Sequence, residues 1–158
     1  MKTIEDLLRD HPFFKGLNKE HVAFIAGCGT NVVFKKGEYV CRDGKPADYF
    51  YIIREGKVAI DVLTAGQGPV IVQTVQKGEV LGWSWIIEPY YWRFDARAME
   101  TTHAVALDGK CLRAKCEKDT KLGYQLLKRF SSVLAQRLEM TRLQLMDIYG
   151  RKPEKANA

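Results

Sequence analysis

The chain has 158 residues, with 25 Lys and Arg against 19 Asp and Glu, which gives a formal net charge of +6. This length favours one domain with its own hydrophobic core, and 46% hydrophobic with 28% charged residues excludes a disordered or low-complexity chain. No apolar stretch reaches the roughly 18 residues that a membrane span needs. The N-terminus carries acidic residues where a signal peptide has its apolar segment. We therefore expect a cytoplasmic protein that does not bind membranes.

The positive charge is concentrated at the C-terminal end. Residues 1–119 carry 17 basic and 16 acidic side chains, whereas residues 120–158 carry 8 and 3. Such an excess can mark a nucleic-acid-binding segment. These charges lie along one predicted helix rather than in a compact patch, which favours a solvated helix face. We therefore expect no direct reading of DNA.

Residues 1–29 are predicted to form two short helices. A capping pattern begins at Thr3, and Asn18 opens a second helical run. Pro12 separates the two, because the residue before a proline is disfavoured in the helical region.

Residues 30–108 change to a period of two and are predicted to form an antiparallel β-roll. Short runs rich in Val, Ile, Tyr and Phe alternate with glycines at intervals typical of a small barrel or sandwich. No helix-sized segment separates the runs, so neighbouring strands should be antiparallel. The segment from Gly78 to Trp92 interrupts the pattern and predicts a loop with one short helix. Such insertions often contact ligands.

Residues 110–150 return to a helical period, with apolar residues at steps of three and four. The apolar sector is wider than one packing seam requires. The extra width predicts two contacts, one with the chain's own β-roll and one with a second copy in a short coiled coil through residues 120–149. The alternative is a helix packed wholly on its own roll. Residues 151–158 are polar and predicted to be disordered.

The four cysteines show no CxxC spacing and are too few for a disulfide scaffold. Reduced thiols are therefore predicted for all of them: Cys28, Cys41, Cys111 and Cys116. Their spacing relative to the three histidines, His11, His21 and His103, does not indicate a zinc site, so no metal ligand is predicted.

The order of these elements resembles the cyclic-nucleotide-binding domain superfamily. The segment FKKGEYVCRDGKPADYFYIIREGKVAI is similar to that family's N-terminal barrel signature at ten positions: Phe34, Gly37, Glu38, Val40, Gly44, Asp48, Tyr51, Ile53, Gly56 and Val58. The resemblance covers residues 8–150. It implies an α+β fold with an eight-stranded antiparallel, jelly-roll-like β-roll, N-terminal helices, a short helix in the ligand cassette and a long C-terminal helix.

The resemblance also bears on domain organisation. In Crp/Fnr-type transcription factors a helix-turn-helix domain follows the long helix. Here the chain ends eight residues after residue 150, so it resembles the sensor module standing alone. We expect one regulatory domain over residues 1–150.

The ligand cassette departs from the family pattern. The resemblance implies a Glu that accepts a hydrogen bond from the ribose hydroxyl and an Arg that neutralises the cyclic phosphate. Gly82 matches the glycine that begins the pattern, and Ala98 matches the alanine that ends it. Between them, Trp83 occupies the Glu position and Trp92 the Arg position. Losing two charge-assisted hydrogen bonds weakens binding by about 3 to 6 kcal/mol. Candidate ligand contacts are Gly82, Trp83, Ser84, Trp85, Trp92, Arg93 and Phe94.

Three interpretations of the cassette remain open. Its aromatic rings fill the roll as core, or they line a pocket for a flat or apolar small molecule. In the third interpretation, cAMP or cGMP is still held by the backbone amides of Ser84 and Trp85 together with Arg93. That arrangement needs a one-residue shift of the loop, which strand alternation opposes.

The expected function is a non-catalytic, ligand-sensing regulatory domain in which cyclic nucleotide binding is weak or absent. No Ser-His-Asp arrangement, paired-carboxylate loop, Walker-type segment or HExxH motif occurs, so no catalytic residue and no cofactor is predicted. The alternatives are a ligand-free dimerising module that binds a protein partner, and a nucleic-acid binder that uses the basic C-terminal segment.

Overall fold

A computed structural model of the chain describes residues 1–150, so the tail predicted to be disordered, 151–158, lies outside the described residues. The described part contains four α-helices and eight strands and divides after Gly123 into two compact units. The predicted α+β fold is confirmed: an antiparallel β-roll with N-terminal helices and a long C-terminal helix.

The N-terminal region consists of α1 (Ile4–Asp10), a 3₁₀ turn (Pro12–Phe14) and α2 (Lys19–Ala26). The Thr3 side chain accepts the Asp6 N–H at 3.1 Å, and the Asp6 carboxylate accepts the Thr3 N–H at 3.0 Å. This reciprocal capping box fixes the start of α1. Asn18 caps α2 by accepting the His21 N–H at 2.8 Å.

Eight strands form two four-stranded antiparallel sheets. They are β1 (Gly29–Phe34), β2 (Tyr39–Cys41), β3 (Tyr49–Glu55), β4 (Lys57–Thr64), β5 (Gly68–Gln76), β6 (Val80–Leu81), β7 (Asp95–Ala98) and β8 (Thr102–Asp108). The strand orders are β1-β8-β3-β6 and β2-β7-β4-β5. Tyr51 and Ile53 of β3 meet Val58 and Ile60 of β4 in the buried core, which confirms the predicted inward face of β3.

The C-terminal helical region is two helices, α3 (Gly109–Lys118) and α4 (Thr120–Gly150). They are separated at Asp119, whose carboxylate accepts the Leu122 N–H at 3.1 Å and lies 3.1 Å from His21 Nε2. An aspartate that caps the next helix competes with continuation of the previous one. No helix within residues 1–150 is long and apolar enough to cross a membrane.

The prediction that all four cysteines are reduced thiols is wrong for one pair, because Cys28 and Cys111 form a disulfide. Gly29 pairs with Leu107, and the Asp108 N–H donates to the Cys28 carbonyl at 2.9 Å. This pairing of β1 with β8 brings the beginning of α3 to Cys28. The other two cysteines, Cys41 and Cys116, are free thiols, and burial raises the pKa of Cys41 to about 12.

The tight turn between β3 and β4 depends on Gly56, which has a φ of 100°. A Cβ at this position would lie 2.6 Å from Thr102 Cα and 2.7 Å from the Thr101 carbonyl oxygen. We expect Gly56→Ala to lower the free energy of unfolding by about 3 kcal/mol, because strain at positive φ and overpacking against a neighbouring strand add together. Urea denaturation followed by circular dichroism measures the loss.

The matched control is Gly37→Ala. Gly37 has a similar φ of 90°, but a Cβ there would meet nothing within 4 Å. Only the backbone strain applies, so the loss should be about 1 kcal/mol. Equal losses in the two variants would show that the close approach of Thr102 does not matter.

Candidate functional site

The candidate ligand cassette connects β6 to β7 and begins at Gly82, which has a φ of 101°. The short helix predicted in the cassette is wrong: residues 82–94 form turns and no helix, and in the first turn the Ile86 N–H donates to the Trp83 carbonyl at 3.2 Å. Pro89 disfavours a helix here, because proline has no N–H to donate and disfavours a helical residue before it.

Trp92 is directed into the β-roll and is 4% exposed. The backbone N–H of Trp92 donates to the Lys45 carbonyl at 2.9 Å, and the backbone carbonyl of Trp92 accepts the Gly44 N–H at 2.8 Å. These two hydrogen bonds hold the Trp92 backbone against residues 44 and 45, with the ring directed into the roll. The ring lies directly against Gly82: a Cβ built at the glycine would be 2.6 Å from Trp92 Cη2.

Trp83, Trp92 and Phe94 form what we call the aromatic cluster. The ring centroids of Trp92 and Phe94 are 5.7 Å apart in an edge-to-face arrangement, and those of Trp83 and Phe94 are 6.0 Å apart. Trp92 and Phe94 belong to the buried core of the roll, and the half-buried Trp83 packs against that core. The cluster can pack against an apolar or flat molecule, but its side chains offer no cation to a phosphate.

The structure does not bring Trp85 to the aromatic cluster. This ring is fully buried and stacks on Phe50 with centroids 5.3 Å apart. Its Cβ lies 2.9 Å from the position that a Cβ would take at Gly109, the first residue of α3. Ser84, the residue before it, is 5% exposed. Trp85 therefore anchors the cassette to α3 rather than lining the interior of the roll.

Arg93 lies on the opposite face from its two neighbours. Its side chain is exposed and lines an open cavity of about 500 Å³ together with Arg42, Lys45 and Asp61. The predicted alternation is thus observed, with Trp92 and Phe94 inward and Arg93 outward. Arg93 is not among the residues of the aromatic cluster.

Sequence reasoning missed Arg113 of α3. Its guanidinium carbon lies 4.1 Å from the centre of the Tyr90 ring, and its Nη1 donates to the Trp85 carbonyl. One side chain on α3 thereby holds two cassette residues. No sequence spacing signals this contact. Within residues 1–150, no group of three or more His, Cys, Asp or Glu side chains is arranged to hold a metal ion.

This roll, with its glycine turns and its cassette between β6 and β7, belongs to the cyclic nucleotide-binding domain family. The sequence model of that family matches residues 31–119, which are 89 of the 158 residues. The fold comparison agrees: a putative cyclic nucleotide-binding protein from Geobacter metallireducens superposes with a TM-score of 0.77 at 28% identity. That match covers 87% of this chain and 99% of the other.

Several curated relatives are similar in sequence, and two of them illustrate how much of each protein this chain spans. The CRP-like cAMP-activated global transcriptional regulator of Mycobacterium tuberculosis is 26% identical over 145 residues, 92% of this chain and 63% of the regulator. Human cGMP-dependent protein kinase 2 is 32% identical over 78 residues, 49% of this chain and 10% of the kinase. This chain therefore spans a tenth of the kinase and less than two thirds of the regulator.

Proposed function

We propose that residues 1–150 act as a non-catalytic regulatory domain in which the cyclic nucleotide cassette has become part of the hydrophobic core. The observation that carries this proposal is the Trp92 ring packed against Gly82. In the family pattern, Trp92 stands where an arginine neutralises the phosphate, and Trp83 stands where a glutamate binds the ribose. An indole offers neither a positive charge nor an acceptor.

The expected loss of affinity follows from the two missing hydrogen bonds. Each charge-assisted bond contributes about 1.5 to 3 kcal/mol, so the loss is about 3 to 6 kcal/mol. Every 1.4 kcal/mol is tenfold in the dissociation constant. A domain that would otherwise bind at micromolar concentration should therefore bind cAMP and cGMP only at roughly 100 μM or weaker.

Isothermal titration calorimetry with cAMP and cGMP tests the proposal. We expect no saturable heat below about 100 μM nucleotide for the natural sequence. The double variant Trp83→Glu/Trp92→Arg restores the two charged side chains, and provided that it keeps the wild-type circular dichroism spectrum, it should gain binding. A micromolar dissociation constant for the natural sequence would contradict the proposal.

The Arg93→Ala variant tests the alternative in which the domain still binds cyclic nucleotide. If cyclic nucleotide were held by Arg93 with the backbone amides of Ser84 and Trp85, the natural sequence would bind and Arg93→Ala would weaken binding at least tenfold. We expect Arg93→Ala to leave the titration unchanged, because the Arg93 side chain is exposed on the outer face.

We also propose that α4 mediates dimerisation with a second copy of the chain. Its C-terminal half carries apolar side chains in an exposed stripe, with Leu138 63%, Leu145 48% and Ile148 65% exposed. With Thr141, these residues follow one another at steps of three, four and three, the spacing of a coiled-coil seam. A single helix rarely leaves such a stripe in water. The second candidate for covering this stripe is a partner protein that presents a helix with a similar apolar face.

Sedimentation equilibrium tests this interaction. At micromolar concentration the natural chain should have twice the mass of one chain, and Leu138→Glu/Leu145→Glu should be monomeric, because charges in the seam are desolvated on association. Met140→Glu is the matched control. Met140 is exposed but lies outside that stripe, so this variant should remain dimeric. A natural chain that is monomeric at the highest measurable concentration would contradict the proposal.

A further inference from the structure

One face of α3 is fastened to the N-terminal part of the chain. Cys111 and Lys115 are four residues apart and therefore share a face of the helix. Cys111 is bonded to Cys28, the second residue after the end of α2. Lys115 donates to the Phe24 carbonyl, and its Nζ lies 5.1 Å from the centre of the Phe24 ring. The disulfide and the lysine thus hold the same side of α3 against α2.

The opposite face of α3 holds the cassette. Gly109 and Arg113 are also four residues apart, and Arg113 is about 200° around the helix from Cys111. Gly109 lies against the Cβ of Trp85. Arg113 stacks on the Tyr90 ring and donates to the Trp85 carbonyl. The contacts of α3 with the cassette therefore depend on how the other face of the same helix is held.

The position of the disulfide allows it to be opened and closed again. Cys111 is half-buried, whereas Cys28 is 8% exposed, so an external thiolate reaches Cys111 more readily. The backbone around the bond is held without the sulfur atoms: Gly29 pairs with Leu107, and the Asp108 N–H donates to the Cys28 carbonyl. These backbone contacts keep the two thiols close together after reduction, so that the bond can form again.

We propose that the Cys28–Cys111 bond is a redox switch that acts on the cassette through α3. In the oxidised chain, the bond holds α3 in the position from which Arg113 contacts Trp85 and Tyr90. In the reduced chain, α3 is held less firmly and these contacts weaken. The switch does not require the cassette to bind or to reject a nucleotide, so it stands or falls separately from the proposed function.

The reducing partner is a dithiol, either a small molecule or a protein. One thiolate of the dithiol attacks the Cys111 sulfur, which forms a mixed disulfide and releases Cys28 as a thiolate that takes up a proton. The second thiolate of the dithiol then attacks the dithiol sulfur of the mixed disulfide and releases Cys111, which is protonated in the same way. The chain gains two electrons and two protons, and the dithiol is oxidised to a disulfide.

Amide signals in ¹H–¹⁵N NMR spectra of the full chain, with oxidised and with reduced dithiothreitol, test the switch. We expect reduction to shift the Tyr90 signal and to leave the signals of the β4–β5 hairpin, in the other sheet, unchanged. Signals of the folded chain do not report the entropy of the unfolded state, so a bond that only stabilises the fold would not shift Tyr90. An unshifted Tyr90 signal, or a reduced chain without the wild-type circular dichroism spectrum, would overturn the inference.

A second test uses the reciprocity of coupling between two sites. The contacts of Arg113 favour the oxidised arrangement, so Arg113→Gln should raise the equilibrium constant for reduction by dithiothreitol at least fivefold, to roughly the usual size of such coupling. If Arg113→Gln does not fold, Tyr90→Leu replaces it, because it removes the ring beneath the guanidinium.

Lys110→Gln is the matched control. It removes a positive charge from α3 beside Cys111, but Lys110 is exposed and its charge is screened by solvent. The equilibrium constant should therefore change by about twofold at most. Equal changes in Arg113→Gln and Lys110→Gln would mean that only charge near the thiol matters. That result, or no change in Arg113→Gln, would overturn the inference.

Discussion

Reduction of the Cys28–Cys111 disulfide is expected to lower the free energy of unfolding by about 4.5 kcal/mol. The two residues are 83 positions apart in the chain, so the cross-link removes a large amount of conformational entropy from the unfolded state. The midpoint of urea denaturation, measured with and without dithiothreitol, gives the difference. The bond connects the end of the N-terminal helical region to the first turn of α3, so its loss should also loosen the ends of β1 and β8.

Cys28→Ala/Cys111→Ala is the control, because its denaturation midpoint should not respond to dithiothreitol. Thiol counting gives a second readout: the unfolded, unreduced chain should show two thiols, Cys41 and Cys116. Four thiols in the unreduced chain would contradict the pairing. Disulfides are rare in the cytosol, so counting thiols in cell extracts quenched with an alkylating agent also tests the cytoplasmic location predicted from the sequence.

Trp92→Ala is expected to lower the free energy of unfolding by about 4 kcal/mol, because it removes a large buried ring from the centre of the roll. The ring is 4% exposed and contacts both Gly82 and Phe94, so its removal leaves a cavity that surrounding strands cannot close fully. Urea denaturation measures the loss. A small loss, below about 1 kcal/mol, would mean that the ring is not packed as described.

Trp83→Ala is the matched control for this experiment. Trp83 belongs to the same aromatic cluster but is only half-buried against the core. Its truncation removes less buried apolar surface, so the loss should be about half as large, roughly 2 kcal/mol. The ratio of the two losses therefore reports which of the two indoles occupies the interior of the roll.

Much of the fold could be predicted from the sequence because its determinants are local. The capping residues Thr3 and Asn18 mark the helix starts, and the alternation from Trp92 to Ala98 sorts inner from outer side chains without knowledge of the partner strands. The pairing of Cys28 with Cys111 could not be predicted. It depends on the pairing of β1 with β8, a contact between distant parts of the chain.

The candidate site was predicted less completely, for the same reason. Trp83 and Trp85 are two residues apart and would share a face in a strand, but the turn at Ser84 sends Trp85 to Phe50 and α3. The contacts of Arg113 with Tyr90 and Trp85 join residues that no sequence pattern relates. The direction of a side chain in a loop depends on the turns of the loop and on the space that the surrounding helices and strands leave free. Neither of these is a periodic property of the sequence.

The contact between Gly82 and Trp92 makes the substitutions that the roll can accept at one position depend on the residue at the other. While the indole is present, any side chain at position 82 would collide with it, in addition to the strain at a φ of 101°. Replacing the indole with a smaller residue would relieve the collision but leave empty space in the interior of the roll. Substitutions at positions 82 and 92 are therefore expected to have non-additive effects on the free energy of unfolding.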